Sequence, residues 1–178
     1  SPYVSMVADM SNDGFPDVCL YHPTYGRWFV AYNWNDHFSA AIGPATGGSW
    51  LTDWKTTGGT YQPFAADFSG DGASDVALMR TSIGSWYVAY NDFTPLPRDF
   101  QPTSTYWLES GWGESPYVSF TGNFDLDDSA DIAVFHPTYG RWSVARRTGQ
   151  TFTPVLGGDD GYSWLDGWKT SASGTYVP

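Results

Sequence analysis

The fold of this chain is decided by an acidic stretch that occurs three times. Asp9-Met-Ser-Asn-Asp-Gly-Phe-Pro-Asp17 is repeated as Asp67-Phe-Ser-Gly-Asp-Gly-Ala-Ser-Asp75 and as Asn123-Phe-Asp-Leu-Asp-Asp-Ser-Ala-Asp131. The copies begin 58 and then 56 residues apart, and a glycine, a tryptophan and a valine follow each copy in the same order. These residues are Gly26, Gly84 and Gly140, then Trp28, Trp86 and Trp142, then Val30, Val88 and Val144. Agreement at a nearly fixed period identifies internal repeats.

Each repeat contains four short segments that predict β-strands. In the first copy they run over residues 4–8, 18–21, 28–32 and about 38–42, and they are separated by Gly- and Pro-containing turns. Four strands in a repeat of this length are typical of a β-propeller blade, whereas a β-sandwich, the alternative, would not keep a near-constant period. We predict an all-β fold of three four-stranded antiparallel propeller blades of about 57 residues each.

The repeats divide the chain into blades at residues 1–59, 60–114 and 115–174, and residues 175–178 begin a fourth copy. Closed propellers need about four to eight blades. Three blades are therefore part of a larger propeller, and two explanations stay open. The chain is a piece of a longer protein, or identical chains complete a ring between them, as two chains would for six blades.

Composition excludes several classes of protein. The 178 residues carry a formal net charge of −11, with 8 Lys and Arg against 19 Asp and Glu, which argues against nucleic-acid binding and against a basic membrane-surface helix. No apolar run is long enough for a membrane-spanning helix, and the 19% aromatic content does not fit a disordered chain. The single Cys19 excludes an internal disulfide or a CxxC zinc site.

The spacing of the acidic stretch predicts a calcium site in each blade. Oxygen-bearing side chains recur at positions 1, 3, 5 and 9, and position 7 can add a main-chain carbonyl, which suits the six to eight hard oxygen ligands of Ca²⁺. The predicted ligands are Asp9, Ser11, Asp13, Phe15 and Asp17; Asp67, Ser69, Asp71, Ala73 and Asp75; and Asn123, Asp125, Asp127, Ser129 and Asp131. The alternative is an acidic turn that is held by its own Asx-type hydrogen bonds, without metal.

Other metal sites fit this loop less well. It is not an EF-hand, because position 12 is Leu20, Leu78 or Val134 where an EF-hand has a bidentate Glu. Mg²⁺ prefers rigid octahedral sites, and Zn²⁺ prefers Cys and His ligands. In the third copy, Asn123 replaces the first Asp and Asp128 replaces the turn glycine, so this site departs furthest from the pattern.

A second candidate site is predicted at the opposite ends of the blades. The segment His22-Pro-Thr-Tyr-Gly-Arg-Trp28 recurs unchanged at residues 136–142, whereas the middle copy differs. In a four-stranded meander this hairpin shares one face with the long Trp-rich loop that follows the fourth strand. Aromatic rings beside polar groups suit a sugar, which has an apolar C–H face and a rim of hydroxyls. The candidate ligand-binding residues are His22, Tyr25, Arg27, Trp50, Asp53 and Trp54, and His136, Tyr139, Arg141, Trp164, Asp166 and Trp168.

Structural roles are open for several of these residues. The tryptophans of the long loops could pack between neighbouring blades, and the two histidines could cap the turns that they precede. Trp28, Trp86 and Trp142 lie on predicted strands and are assigned to the core.

The repeat resembles the FG-GAP/VCBS family, including its lectin-like bacterial or fungal members. The resemblance rests on the D-x-[SDN]-x-D-x-x-x-D loop, on the short apolar strand after it, and on the hairpin with a W-x-V strand, as in Gly84-Ser-Trp86-Tyr-Val88. It covers essentially the whole chain and implies a β-propeller, bound calcium, an extracellular setting, and roles in adhesion or carbohydrate binding.

Motifs for catalysis do not stand out. The sequence has no Gly-x-Ser-x-Gly elbow, HExxH or P-loop, and most clustered carboxylates belong to the predicted calcium loops. We therefore expect a secreted, non-enzymatic propeller module that recognises a glycan or glycoprotein, with structural Ca²⁺. The alternative is a structural propeller segment of a larger secreted enzyme, toxin or adhesin that makes only protein–protein contacts.

Overall fold

The computed structural model describes residues 2–92, 99–155, 157, 163–165 and 167. These residues form three four-stranded antiparallel sheets, each a meander of consecutive strands. Sheet one contains β1 (Val4–Ala8), β2 (Asp17–His22), β3 (Arg27–Asn33) and β4 (Phe38–Ala41). Sheet two contains β5 (Tyr61–Ala66), β6 (Asp75–Arg80), β7 (Ser85–Asn91) and β8 (Phe100–Pro102). Sheet three contains β9 (Val118–Gly122), β10 (Asp131–His136), β11 (Arg141–Arg147) and β12 (Phe152–Val155).

The prediction of three four-stranded blades is confirmed. The strands observed in the first blade match the predicted segments to within one residue at each end. All strands lie within the predicted blade segments, and residues 175–178 lie outside the described part of the chain. Thr46–Gly48 forms a turn of 3-10 helix, and no helix among the described residues could cross a membrane.

A glycine turn fixes the second hairpin of every blade. Gly26, Gly84 and Gly140 have φ values of 53°, 66° and 59°, which disfavour residues with a Cβ. The turn sets the register that places Tyr21 opposite Trp28 and Met79 opposite Trp86. A Cβ at Gly26 would also collide with the main chain of Trp54, so the long loop packs directly against the hairpin.

The long loop after the fourth strand returns to the third strand of its own blade. Trp28 forms an isolated β-bridge with Leu51, and the same bridge joins Trp86 to Leu108 and Trp142 to Leu165. In the first blade, the main-chain N–H of Trp50 donates to the carbonyl of Trp28 at 2.7 Å. This pairing anchors the Trp-rich loop beside the hairpin, as the meander model predicts.

The hydrophobic cores lie between neighbouring blades. One core joins Trp28, Trp50 and Trp54 of the first blade to apolar residues of β6–β8, and the other joins Trp86 and Trp107 of the second blade to β10–β12. The assignment of Trp28 and Trp86 to the core is confirmed, because both are fully buried. Trp142 is only partly buried, because it lies on the side of the third blade that has no following blade in the described structure.

Main-chain hydrogen bonds join the blades in the same way at both junctions. The N–H groups of Ser74 and Ala130 donate to the carbonyls of Asp9 and Asp67 in the preceding blade, at 2.7 and 2.6 Å. At the start of the fourth strands, Phe100 donates to Trp50 at 3.2 Å and Phe152 to Trp107 at 2.9 Å. Each blade therefore docks onto the one before it with an equivalent set of contacts.

Candidate functional site

The two candidate sites lie at opposite ends of the blades. The acidic loops connect the first and second strands of each blade. The hairpins between the second and third strands lie at the other end, because the strands are antiparallel, and the Trp-rich loops pack against them. The acidic loops and the aromatic hairpins therefore form separate surfaces.

The last aspartate of each acidic loop has a structural role that the sequence analysis missed. Asp75 is fully buried, and its carboxylate accepts hydrogen bonds from the main-chain N–H groups of Ser69 and Asn91, both at 2.8 Å. Asp17 and Asp131 are also buried and accept from the equivalent third-strand N–H groups of Asn33 and Arg147, but their loop-side donors are Met10 and Phe124, one position earlier in the loop than Ser69. This aspartate ties its loop to the third strand, and its position directly before an apolar strand was the available signal.

The other loop carboxylates also accept loop amides. Asp67 accepts from the N–H groups of Gly70 at 2.6 Å and Gly72 at 2.8 Å, and Asp71 accepts from Ala73 at 2.9 Å. In the first loop, Asp9 accepts from the N–H groups of Asp13 and Gly14, and Asp13 accepts from that of Phe15. The hydroxyls of Ser11 and Ser69 donate to the first aspartate of their loops, at 3.5 and 3.2 Å.

The third loop reaches a similar shape with a different sequence. Asn123 accepts from the N–H of Leu126 at 2.6 Å, and Asp127 accepts from both the N–H and the hydroxyl of Ser129. Asp128 has a φ of 74° and takes the turn position that Gly14 and Gly72 hold in the other copies. All three loops are thus organised by hydrogen bonds of the Asx type.

Burial, neighbouring charges and hydrogen bonds shift the pKa values of several aspartates in the loops. Burial raises the pKa of Asp75 to about 7, and the nearby carboxylates of Asp67 and Asp71 raise it further, against the two amide donors. Burial also raises the pKa of Asp131, whereas hydrogen bonds from Ser129 lower the pKa of Asp127. Acidic groups crowd together at this end of the blades.

The described loops do not form a ready cage for a cation. Among the residues that the structure describes, no three acidic, His or Cys side chains are grouped so that they could hold a metal ion. In this geometry the carboxylates satisfy loop amides, so calcium binding stays a prediction.

At the opposite end, aromatic residues form the same stack in the first and third blades. The ring of His22 lies between Tyr3 and Tyr25, with centroid distances of 4.8 and 4.7 Å. The ring of His136 lies between Tyr117 and Tyr139 at 4.8 and 4.4 Å. In the middle blade Arg80 and Ile83 occupy the positions of the histidine and of the second tyrosine. The alternation that the sequence predicts is therefore present in the aromatic packing.

Each stack also contains polar groups, namely an arginine guanidinium and the buried Nδ1 atom of the histidine. The guanidinium carbon of Arg27 lies 5.1 Å from the ring centroid of Tyr25, and that of Arg141 lies 5.9 Å from Tyr139. Both histidines are buried, and their Nδ1 atoms have no hydrogen-bond partner within the described structure. Tyr25 and Tyr139 are more than half exposed, so each stack presents one ring to solvent.

Tyr3 and Tyr117 were not predicted as site residues. Each packs its ring edge against the histidine of its stack. The repeated pentapeptide Ser-Pro-Tyr-Val-Ser at residues 1–5 and 115–119 was the signal that could have identified them.

The structure places two of the predicted ligand-binding tryptophans in the core. Trp50 is 2% exposed and Trp54 is 7% exposed, and both pack between the first and second blades. The indole Nε1 of Trp50 donates to the carbonyl of Ala41 at 2.8 Å. Their rings are not accessible to a ligand, and the alternative of packing between blades describes them correctly. Trp164 is partly exposed, whereas Asp166 and Trp168 lie outside the described residues.

Asp53 supports the hairpin through its main chain. Its N–H donates to the carbonyl of Tyr25 at 3.0 Å, and Gly111 and Gly167 make the same bond to the hairpins of their blades. All three residues have positive φ. The structural equivalent of Asp53 in the third blade is therefore Gly167, which differs from the pairing of Asp53 with Asp166 in the sequence.

A cavity of about 370 Å³ lies between the second and third blades. Trp112 of the second blade and Tyr117 of the third blade border it, together with Val134, Ser143, Pro154 and Val155. Tyr117 belongs to the stack of His136 and Tyr139, so the cavity and the stack share a wall.

The equivalent position between the first two blades carries a larger side chain. Tyr87 replaces Ser143 there, and the ammonium group of Lys55 lies 3.8 Å from the centroid of its ring. Burial lowers the pKa of Lys55. A smaller cavity of about 230 Å³ lies nearby, between Tyr21 and Tyr61. The two junctions therefore have equivalent main-chain contacts, but the side chains that line their cavities differ.

Comparisons with known proteins identify a similar fold. No family model matches the sequence, and no curated protein matches it. Among solved structures, the chain is similar to an Agrocybe aegerita lectin whose structure is described as the basis of specific recognition of non-reducing terminal N-acetylglucosamine. The match has a TM-score of 0.55 at 23% sequence identity and covers 86% of this chain. It covers 37% of the lectin, so the chain spans little more than a third of that protein's length and shares its fold over that part.

Proposed function

We propose that this protein is a carbohydrate-recognition module without catalytic activity. Its principal binding site is the cavity between the second and third blades, beside the Tyr117–His136–Tyr139 stack. The observation that carries the proposal is the shared wall: Tyr117 lines the cavity and also packs against His136 at 4.8 Å. The lectin fold of the structural neighbour is consistent with this function but does not establish it.

The chemistry of the cavity suits a sugar ring. The indole of Trp112 and the apolar side chains of Val134 and Val155 can contact a C–H face, and the hydroxyls of Ser143 and Tyr117 can bond to sugar hydroxyls. A volume of about 370 Å³ accommodates one sugar residue within the usual range of ligand pockets. Tyr139 lies at the exposed end of the stack and could contact a second residue of the glycan.

The charge of the protein favours neutral sugars. With a net charge of −11, the protein repels sialylated and sulfated glycans at low ionic strength. Because the neighbouring lectin is described as recognising terminal N-acetylglucosamine, glycans with this terminal sugar are the first probes to test.

Binding can be tested by calorimetry with N-acetylglucosamine-terminated oligosaccharides and by a glycan array. Ser143→Tyr introduces the side chain that Tyr87 provides at the other junction, and it should fill the cavity and abolish binding while the fold is retained. Tyr139→Ala should weaken binding, whereas the matched variant Tyr25→Ala changes the stack of the first blade and should leave this site unchanged. Absence of glycan binding, or binding that Ser143→Tyr does not alter, would overturn the proposal and favour a module for protein–protein contacts.

The proposal includes structural calcium in the acidic loops and a location outside the cell. Calcium is supported by the D-x-[SDN]-x-D-x-x-x-D spacing and by the concentration of ten of the 19 acidic residues in three loops. The carboxylates of Asp67 and Asp71 accept hydrogen bonds from loop amides and still have free lone pairs with which they could coordinate an ion. Its role would be to reduce the repulsion between these carboxylates.

A further inference from the structure

The first and third blades expose apolar surfaces that the middle blade buries. The outer face of the first blade, which we call the leading face, contains Val7, Val18, Ala31 and Phe38. Phe38 is 57% exposed, whereas its equivalents Phe100 and Phe152 are 1% and 3% exposed. An apolar cavity of about 130 Å³ lies on the same blade, beside Val18 and Ala31.

The outer face of the third blade, which we call the trailing face, contains Phe124, Trp142 and Trp164. Phe124 is 38% exposed where the equivalent Phe68 is fully buried, and Trp164 is 36% exposed where Trp107 is 2% exposed. The leading face thus has the residues that a blade presents to the preceding blade, and the trailing face has those that a blade presents to the following one.

The internal junctions show how the two faces fit together. Phe152 inserts beside Trp107 and Phe68 of the preceding blade, with centroid distances of 5.2 and 5.8 Å. Phe100 packs on Trp50 at 5.1 Å in the same way. By this equivalence, Phe38 of a leading face would lie beside Trp164 and Phe124 of a trailing face.

We propose that two copies of this chain associate head to tail, with the leading face of each copy docked on the trailing face of the other. The occupant is a second copy because Phe38, Phe124 and Trp164 occupy the positions whose side chains pack together at the blade junctions already present in the chain. Such an interface joins two different surfaces, and two equivalent junctions close a ring of six blades, within the range of known propellers.

One hydrogen bond of the internal junctions cannot form at this interface. Ser74 and Ala130 donate their N–H groups to the preceding blade, and the equivalent residue of the first blade is Pro16, which has no N–H. Phe38 retains the N–H that corresponds to those of Phe100 and Phe152. We therefore expect a reversible, concentration-dependent dimer.

Sedimentation equilibrium over a wide concentration range tests the proposal. The wild-type chain should reach twice the monomer mass and no more. Phe38→Glu and Phe124→Lys, which alter opposite faces, should each raise the dissociation constant at least about 30-fold, as expected for a residue at the centre of an interface. Ile83→Glu changes an exposed residue of the middle blade on neither face and should dimerise like the wild type. Circular dichroism and melting curves control for folding.

Mixing the two variants tests the head-to-tail arrangement. Phe38→Glu retains an intact trailing face and Phe124→Lys retains an intact leading face, so a mixture should form a heterodimer through one junction. This heterodimer should be weaker than the wild-type dimer, which has two junctions. A wild-type chain that stays monomeric would overturn the proposal and leave both faces to further blades of a longer polypeptide. Assemblies larger than two chains, or dimers insensitive to both variants, would overturn it as well.

Discussion

The side-chain amide of Asn91 donates to the main-chain carbonyl of Met10 at 2.8 Å, across the boundary between the first two blades. The same Nδ2 group bonds to the carbonyl of Ser74 at 3.1 Å, and the main-chain N–H of Asn91 bonds to Asp75. This one buried residue at the end of β7 thus connects the third strand of the middle blade to its acidic loop and to the preceding blade. Its equivalent in the first blade is Asn33, whose Nδ2 donates to the exposed carbonyl of Pro16 within its own blade.

Replacing Asn91 with Ala should destabilise the protein by about 1–3 kcal/mol, because two buried carbonyls lose their donor. Asn33→Ala is the matched control and, measured on the monomer, should cost distinctly less, because Asn33 is only partly buried and its amide donates to an exposed carbonyl of its own blade. Urea unfolding followed by tryptophan fluorescence measures both values. Equal decreases in the free energy of unfolding for the two variants would show that the hydrogen bond across the blade boundary does not contribute to stability.

Trp86→Ala should cost about 3–5 kcal/mol of stability, because it removes a fully buried indole from the core between the second and third blades. It also removes the donor that bonds to the carbonyl of Trp112 at 2.8 Å. Trp142→Ala makes the same change in the third blade, where the ring is only partly buried, and should cost distinctly less. If chemical denaturation showed that Trp142→Ala destabilises the protein more than Trp86→Ala, this description of the cores would be wrong.

Cys19 should be unreactive in the folded protein. Its side chain is fully buried, and desolvation raises the pKa of the thiol far above its usual range, so the thiolate is scarcely populated. We expect no reaction with a thiol reagent at pH 8 in native buffer and one reactive thiol per chain in guanidinium chloride. Rapid labelling of the native protein would show that the junction between the first two blades opens readily.

If the acidic loops bind calcium, chelation should lower the melting temperature and added Ca²⁺ should restore it. A ligand present at 100 times its dissociation constant stabilises a fold by about 2.7 kcal/mol for each site. Asp71→Asn should reduce the calcium-dependent shift, whereas Asp36→Asn, an exposed change outside the loops, should not. A melting temperature that does not respond to calcium would identify the loops as metal-free Asx turns.

The sequence was sufficient to predict the blades, because the repeat aligns strands, turns and the tryptophans of the third strand at a common period. The alternation of the hairpins was also visible, and it corresponds to the stacks around His22 and His136. These features depend on local patterns of residues, which a single sequence records directly.

The roles of individual site residues were harder to predict, because they depend on packing between blades. Trp50 and Trp54 lie in a loop that looks exposed in the sequence, but the next blade covers it. Asp75 has the spacing of a metal ligand, and the same spacing serves a carboxylate that accepts two main-chain amides. A carboxylate pattern alone does not distinguish these two uses of the oxygen atoms.

The repeated blade junctions also determine which strands of the protein unfold first. Because each sheet contacts only its neighbours, stability accumulates along the chain as a series of nearest-neighbour terms. The strands β6 and β7 are covered on both sides, whereas β1, β4, β9 and β12 belong to sheets covered on one side only. In the monomer, amide hydrogen exchange should accordingly be slowest in the middle sheet, and fraying should begin at the two outer sheets and move inward.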